Sequence, residues 1–242
     1  MEHLSSNQSA IAAPATTGPH RLVALVYRVA STVAIGFGLI RITQIFSANP
    51  LWNSFAFYTV LSNVLCLIWM AHLAVITASG KWEQQVQSRP AKLARGSAMV
   101  MMAITVTLLV YLVVLVPASF TQDSNYVPFS LTDNLIHIIT PALVIIDWLF
   151  FAPKGWLRWR EPIHWCSLPY LYLAFAFIYG ALGGEFYPGV HHPYPFMDLQ
   201  EFGIGGVAVR ILMLTVALVG FGYIYVVLDR LIARHTRRRR QA

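Results

Sequence analysis

The chain has 242 residues, of which 57% are hydrophobic and only 11% are charged, and its mean hydropathy is +0.60. Soluble domains carry about 25% charged residues, so the composition excludes an ordinary soluble protein and predicts an integral membrane protein. The formal net charge of +7 is then interpreted as membrane topology, and no nucleic-acid partner is predicted.

Six apolar stretches are each long enough to cross a bilayer as an α-helix, which takes about 20 residues. They occupy residues 22–46, 54–79, 97–118, 132–152, 165–184 and 203–228. We expect residues 1–20, which are small and polar, to form a disordered cytoplasmic tail without a cleavable signal. The sequence therefore predicts an all-α integral membrane bundle of six transmembrane helices over residues 21–230, followed by a basic cytoplasmic tail over 231–242.

Lysine and arginine are distributed unevenly among the connections between these helices. They occur in residues 80–96 and 153–164 and in the C-terminal run, whereas residues 47–53, 119–131 and 185–202 contain none. By the positive-inside rule, both termini and the two basic connections are predicted to be cytoplasmic. The compact length and the arginine-rich C-terminus favour a protein of a bacterial inner membrane. The C-terminal run is also suited to anionic lipid headgroups.

With this orientation, polar residues of four predicted helices fall at a similar depth near the outer side of the membrane. They are Arg41 on the first helix, Thr59, Ser62 and Asn63 on the second, Asp133, Asn134, His137 and Thr140 on the fourth, and Arg210 on the sixth. Residues spaced i, i+3 and i+4 share one face of a helix. Because an unpaired polar group in hydrocarbon costs several kcal/mol, we expect these faces to meet across an internal cavity.

Thr59 and His137 are the residue types of a nucleophile and its base. A hydroxyl becomes nucleophilic when a base lies within hydrogen-bond reach, and a neutral imidazole accepts a proton near pH 7. Asp133, one turn before His137, is a candidate for fixing the imidazole tautomer. A site just below the headgroups suits a lipid-like ester with a long apolar tail, so the pattern indicates a hydrolase of such esters.

Candidates for stabilising an oxyanion or binding the substrate are Asn63, Arg41, Arg210, Asp133 and Asn134. Either arginine can instead bind a substrate carboxylate. Membrane threonines, however, often bond the carbonyl four residues earlier, and membrane histidines often bond a neighbouring helix. A non-enzymatic lipid or small-molecule binder, or a transporter, with the same cavity therefore stays open as an alternative.

Cofactor and metal chemistry is weakly indicated. His137, His191, His192 and Glu201 could together form an outer metal site, but they lack an HExxH-like spacing. A bis-histidine haem is excluded because His72 lies in the inner half of the bundle and His137 in the outer half. Cys66 and Cys166 match no metal or redox spacing and are interpreted as core residues. We predict no cofactor and no metal.

A second polar set lies near the predicted cytoplasmic side. It consists of Arg28, His72, Asp147 and His164. Arg28 and Asp147 fall at a similar depth, so we predict a structural ion pair between them.

Three short motifs follow one another in a distinctive order. They are Phe57-Tyr58-Thr59, then Asn134-Leu135-Ile136-His137 followed by a proline and by an acid ten residues after the histidine, then Tyr194-Pro195-Phe196-Met197 ahead of a glycine-rich entry to Arg210. This order resembles the androgen-induced-gene family of membrane proteins over about residues 22–228. The resemblance implies a six-helix hydrolase whose catalytic threonine and histidine match Thr59 and His137. It also implies a fatty-acyl ester substrate, since animal members of that family cleave fatty-acid esters of hydroxy fatty acids.

Overall fold

The structure, a computed structural model, describes residues 18–117 and 128–241, and these residues form α-helices with no β-strand among them. The helices are α1 (Gly18–Thr43), α2 (Tyr58–Ala78), α3 (Lys81–Ser88), α4 (Pro90–Leu115), α5 (Leu131–Phe151), α6 (Glu161–Trp165), α7 (Ser167–Ala181) and α8 (Leu199–Gln241), with 3₁₀ turns at Trp52–Ala56 and Pro195–Met197. Five of these described helices are long and apolar enough to cross a membrane. The all-α membrane class is confirmed.

Both predicted tails differ from expectation at their boundaries. Residues 1–17 of the predicted N-terminal tail lie outside the described residues, and α1 already begins at Gly18. At the other end α8 continues through the predicted basic tail to Gln241. α8 is kinked at Gly203, where φ is +63°, and the helix that follows it to Arg239 is about 54 Å long, well beyond the roughly 30 Å thickness of the hydrocarbon core. Its arginine-rich end therefore projects beyond the apolar part of the bundle.

The predicted fifth span, residues 165–184, is not one long helix. α6 ends at Trp165 and α7 begins at Ser167. Pro169 explains the break, because it has no backbone N–H and its ring crowds the carbonyl four residues earlier, that of Trp165. The 15 residues of α7 extend about 22 Å, less than a full bilayer span. The prediction of six long spans is therefore corrected to five in the described chain, and the sixth crossing stays a prediction.

α6 and α7 nevertheless run from one end of the bundle to the other. At the end where α4 begins, Arg95 and Glu161 form an ion pair at 3.1 Å. At the opposite end, the Asn53 side chain, which precedes α2, donates to the carbonyls of Glu185 and Phe186 beyond α7. The segment thus has the course of a membrane crossing although its main helix is short.

The core lies between α1, α2, α4 and α5, which pack on one another, whereas α6, α7 and α8 form a second layer against α4. Ile35, Met70, Leu73, Met101 and Ile104 are fully buried in the first group. A tyrosine joins the second layer to the first, since Tyr225 in α8 lies 2.9 Å from the Thr105 hydroxyl in α4. The candidate site lies where the two groups meet.

The predicted ion pair between Arg28 and Asp147 is confirmed. The Arg28 Nε and Asp147 Oδ1 atoms are 2.8 Å apart, and both side chains are buried. Arg28 also donates to the Thr77 hydroxyl, and its guanidinium carbon lies 3.9 Å from the centroid of the Trp82 ring. The other two members of the predicted inner set, His72 and His164, are exposed and take no part in this network.

Replacing Asp147 by alanine should destabilise the protein strongly. The substitution leaves the Arg28 guanidinium buried without its counter-charge, which costs about 3–5 kcal/mol. The measurement is the free energy of unfolding in detergent micelles. Glu161→Ala is the matched control, because its partner Arg95 is 31% exposed and such pairs contribute about 1 kcal/mol or less. Equal losses in the two variants would contradict a stabilising role for the buried pair.

Candidate active site

Thr59 and His137, predicted as nucleophile and base, are neighbours in the structure. Thr59 is the second residue of α2, and His137 lies in the second turn of α5. The Thr59 Oγ1 and His137 Nε2 atoms are 3.4 Å apart, and both residues are buried. This separation is longer than that of a well-formed hydrogen bond, but such contacts tighten when a substrate binds.

The backbone around His137 is a π-helical turn, Leu135–Ile139. Within it the N–H of Thr140 reaches back five residues to the carbonyl of Leu135. The carbonyl of Ile136 then has no N–H to accept within the helix, because the residue five positions on is Pro141, which has none. π-helical turns of this kind occur often at functional sites. Here the turn places His137 at its centre.

Asn63 satisfies the carbonyl that the π-helical turn leaves free. Its Nδ2 donates to the carbonyl of Ile136 at 3.0 Å and to that of Thr59 at 2.7 Å. The side chain thereby joins the backbone of the Thr59 turn in α2 to that of the His137 turn in α5. Because both amide hydrogens are engaged, Asn63 offers none to an oxyanion. Its place in the structure is that of a positioning residue.

The ring of His137 stacks on Tyr111 of α4. Their ring centroids are 4.3 Å apart and their planes differ by 9°. Tyr111 itself begins a second π-helical turn, and in both helices a proline, Pro117 or Pro141, follows two residues after that turn ends. The sequence analysis missed Tyr111, but the two prolines were a signal that both helices depart from regular geometry near the site.

Asp133 and Asn134 lie at the start of α5. Asp133 Oδ1 is 3.7 Å from His137 Nδ1, a distance that stabilises a protonated imidazole but exceeds a hydrogen bond. The second carboxylate oxygen accepts a hydrogen bond from the Ser130 hydroxyl at 2.7 Å. Asn134 donates to the carbonyl of Phe129 at 2.9 Å. Asp133 is thus placed to act on the base, whereas the Asn134 amide is engaged in the turn before α5.

The two arginines predicted to stabilise an oxyanion or bind a carboxylate have other partners. Arg41 is exposed and donates to the Thr132 hydroxyl at 3.1 Å. The guanidinium carbon of Arg210 lies 3.5 Å from the centroid of the Phe202 ring. The position of a residue along its helix predicts its depth in the membrane. It does not predict towards which side of the helix the side chain points. The structure does not bring either arginine into the cavity beside Thr59.

A cavity of about 140 Å³ adjoins Thr59 between α4, α7 and α8. Its lining is largely aliphatic and aromatic, with Val110, Leu173 and Leu218 among the lining residues, and Thr59 is one of its few polar lining residues. Thr59 therefore contacts His137 and also lines an apolar cavity. This is the arrangement expected of a nucleophile that acts on a substrate with an apolar tail.

Tyr194 is a second aromatic residue that the sequence analysis did not assign to the site. It is buried, lines the same cavity, and its hydroxyl lies close to the side chain and backbone of Thr59. Burial raises the pKa of the Tyr194 hydroxyl to about 12, and the neighbouring polar groups of Thr59 oppose that rise. The hydroxyl is thus a neutral donor next to the candidate nucleophile.

The alternative metal site is not assembled. Nowhere in residues 18–117 and 128–241 do three or more His, Cys, Asp or Glu side chains come together as metal ligands. His192 instead lies 3.8 Å from Asp198, and His191 is hydrogen-bonded to a backbone carbonyl. His137 and Glu201, the other two members of the predicted set, join no such group.

No family model, curated protein or solved structure matches the chain. The resemblance to the androgen-induced-gene family therefore stays a prediction that depends on the short motifs around Thr59, His137 and Tyr194. What can be inferred about function depends on the geometry of these residues.

Replacing Asn63 by leucine, which has a similar volume, should destabilise the contact between α2 and α5. The Ile136 carbonyl loses its donor, and a buried carbonyl without a partner costs about 1–3 kcal/mol. The measurement is the free energy of unfolding in detergent. Asn134→Leu removes a hydrogen bond at a half-buried position and should change stability by about 0.5 kcal/mol or less. A loss at Asn63 no larger than that at Asn134 would argue against the bridging role.

Proposed function

We propose that the protein is a membrane-embedded hydrolase of lipid-like esters, such as fatty-acid esters of hydroxy fatty acids, acting through an acyl-threonine intermediate. The observation that carries the proposal is the contact of Thr59 Oγ1 with His137 Nε2 at 3.4 Å, beside an apolar cavity. A hydroxyl with a base in reach and an apolar space in front of it has the parts that acyl transfer requires.

Thr59 also differs from the other threonines of the bundle. A membrane threonine typically bonds the carbonyl four residues earlier. Six threonines of the described helices do so: Thr32, Thr43, Thr77, Thr105, Thr215 and Thr236. Thr59 lies in the first turn of α2, where no helical carbonyl is available four residues earlier, and its hydroxyl faces the imidazole instead. This difference favours a chemical role over a purely structural one.

In the proposed reaction, the Thr59 oxygen bonds to the ester carbonyl carbon while its proton moves to His137 Nε2. The tetrahedral intermediate then expels the alcohol, which takes up that proton. A water molecule, deprotonated by His137, hydrolyses the acyl-threonine and restores the hydroxyl. The Asp133 carboxylate, 3.7 Å from His137 Nδ1, stabilises the transient imidazolium. Tyr111, stacked on the imidazole, holds its orientation.

The substrate class follows from the cavity and from the depth of the site. The apolar walls between α4, α7 and α8 suit a fatty-acyl chain. Thr59 and His137 lie in the first two turns of α2 and α5, so an ester near the headgroups would reach them from the lipid phase. The proposed partners are thus membrane lipids and a fatty-acyl ester, with no cofactor.

Covalent labelling tests the nucleophile and the base. A fluorophosphonate probe should modify the purified protein at Thr59, located by mass spectrometry, and Thr59→Ala should abolish the modification. His137→Ala should lower its rate by about 10²–10⁴-fold, the usual contribution of a general base. Thr107→Ala is the matched control, because Thr107 lines the same cavity but bonds to Ser62, and it should be labelled at the native rate.

Two outcomes would contradict the proposed function. Normal labelling of Thr59→Ala would exclude Thr59 as the nucleophile. A native protein that neither reacts with the probe nor cleaves fatty-acyl esters, yet binds a fatty-acyl ligand in a way that Leu218→Trp blocks, would support the alternative of a lipid binder or transporter.

We also propose that the site faces the outer half of a bacterial inner membrane, with both termini cytoplasmic. The proposal is supported by the basic connections, which lie at the end of the bundle where Arg95 meets Glu161. Cys66 and Cys166 are buried, so a cysteine introduced at an exposed position serves as the reporter. Asn49→Cys should react with a membrane-impermeant maleimide in spheroplasts, and Ser79→Cys only after permeabilisation. The reverse pattern would invert the orientation.

A further inference from the structure

Two tyrosine hydroxyl groups lie beside the first turn of α2. The N–H groups of Tyr58 and Thr59 lie at the start of the helix, so no helical carbonyl is available to them. The preceding residue, Phe57, has no side chain that caps them. The Tyr172 hydroxyl lies close to the backbone N–H of Tyr58, and the Tyr194 hydroxyl lies close to that of Thr59. The first turn of α2 thus meets hydroxyl groups from two other parts of the chain.

The two hydroxyl groups differ in where their own protons go. Tyr172 donates to the carbonyl of Ala56 at 3.1 Å, so its proton is engaged. The Tyr194 hydroxyl lies close to the backbone N–H of Thr59, a group that can only donate. Towards this N–H the Tyr194 oxygen is an acceptor, which leaves its own proton for the cavity that Tyr194 lines together with Thr59.

We propose that Tyr194 is a further catalytic residue, whose O–H donates to the ester carbonyl oxygen as negative charge develops there; this inference rests on the proposed hydrolase function. When Thr59 Oγ bonds to the carbonyl carbon, the π electrons of the C=O bond move to its oxygen and the Thr59 proton moves to His137. The Tyr194 hydroxyl stabilises that oxyanion by a hydrogen bond and remains protonated throughout. A donor placed in advance at a developing oxyanion is a large contribution to catalysis.

The surroundings of Tyr194 favour this role over that of the residues predicted from sequence. The Asn63 amide hydrogens are engaged by backbone carbonyls, and Arg41 and Arg210 have partners elsewhere. The positive end of the α2 dipole lies at Thr59 and favours negative charge at this position. Because burial raises the pKa of Tyr194 to about 12, its hydroxyl keeps its proton over the pH range in which an imidazole acts as a base.

The ring of Tyr194 is fixed by its neighbours, so the position of its hydroxyl is fixed as well. It stacks on Phe196 with ring centroids 5.7 Å apart and planes within 5°, and it lies 6.3 Å from the ring of Tyr172. Tyr194→Phe keeps these ring contacts and removes only the hydroxyl. The variant therefore isolates the donor.

The test measures hydrolysis of p-nitrophenyl octanoate by the full-length protein in detergent. Tyr194→Phe should lower kcat by about 10²–10³-fold, the loss seen when one oxyanion donor is removed, with little change in KM. Tyr225→Phe is the matched control, because Tyr225 is not among the residues that line the cavity and its hydroxyl lies 2.9 Å from that of Thr105. It should keep the native kcat.

A second readout separates catalysis from helix capping. A long-chain trifluoromethyl ketone, which forms a hemiketal oxyanion with the nucleophile, should lose affinity in Tyr194→Phe by the same factor as kcat/KM. Octanoic acid, which only fills the cavity, should bind as in the native protein. Tyr172→Phe removes the other hydroxyl beside the first turn of α2 and should leave the ketone's affinity relative to octanoic acid unchanged.

The outcomes distinguish this inference from the proposed function. If the native protein hydrolyses the ester, Thr59→Ala does not, and Tyr194→Phe retains kcat within threefold of native, the role of Tyr194 is overturned and the hydrolase function stands. An equal loss in Tyr194→Phe and Tyr225→Phe also overturns it. If the native protein cleaves no ester, or Thr59→Ala remains active, the hydrolase function fails, and the role of Tyr194 fails with it.

Discussion

The geometry of the site depends on the backbone N–H that Pro141 lacks. Without it α5 cannot continue its regular hydrogen bonding past His137, and the helix widens into a π-helical turn. The turn leaves the carbonyl of Ile136 without a helical partner, and a buried carbonyl needs one. Asn63 supplies the donor and bonds Thr59 with its other hydrogen. A single missing donor thus determines which face of α2 meets α5 and brings the threonine to the histidine.

The same two helices are joined again at the other end of the bundle. Arg28, from α1, donates to Thr77 near the end of α2 and to Asp147 near the end of α5. Asn63 and Thr77 are about 21 Å apart along α2 at the usual helical rise, so the pair is held at two well-separated levels. Catalytic groups must keep their separation to within about 0.5 Å. Two polar junctions in an apolar surrounding, where each would be costly to break, provide that rigidity.

Much of this arrangement could be predicted from residue types and their positions along the helices. Composition alone was sufficient for the membrane class, and depth along the predicted helices paired Arg28 with Asp147 and grouped Thr59 with His137. Depth gives no information about the direction of a side chain around its helix, which is why Arg41 and Arg210 were expected at a cavity that they do not line. A regular period of 3.6 residues also conceals π-helical turns, so the stacking of Tyr111 on His137 could not be predicted.

The layered packing of the bundle places Thr59 on one side of the cavity and much of the cavity wall on the other side. Thr59, Asn63 and His137 belong to α2 and α5, which are part of the first group of helices. Much of the cavity wall comes from α7 and α8, which belong to the second layer packed against α4. Residues of α7 and α8 in the cavity wall can change in size without moving the helices that contain Thr59 and His137. In the proposed hydrolase, selectivity for one acyl tail over another can therefore change through this wall while the contact of Thr59 with His137 is kept.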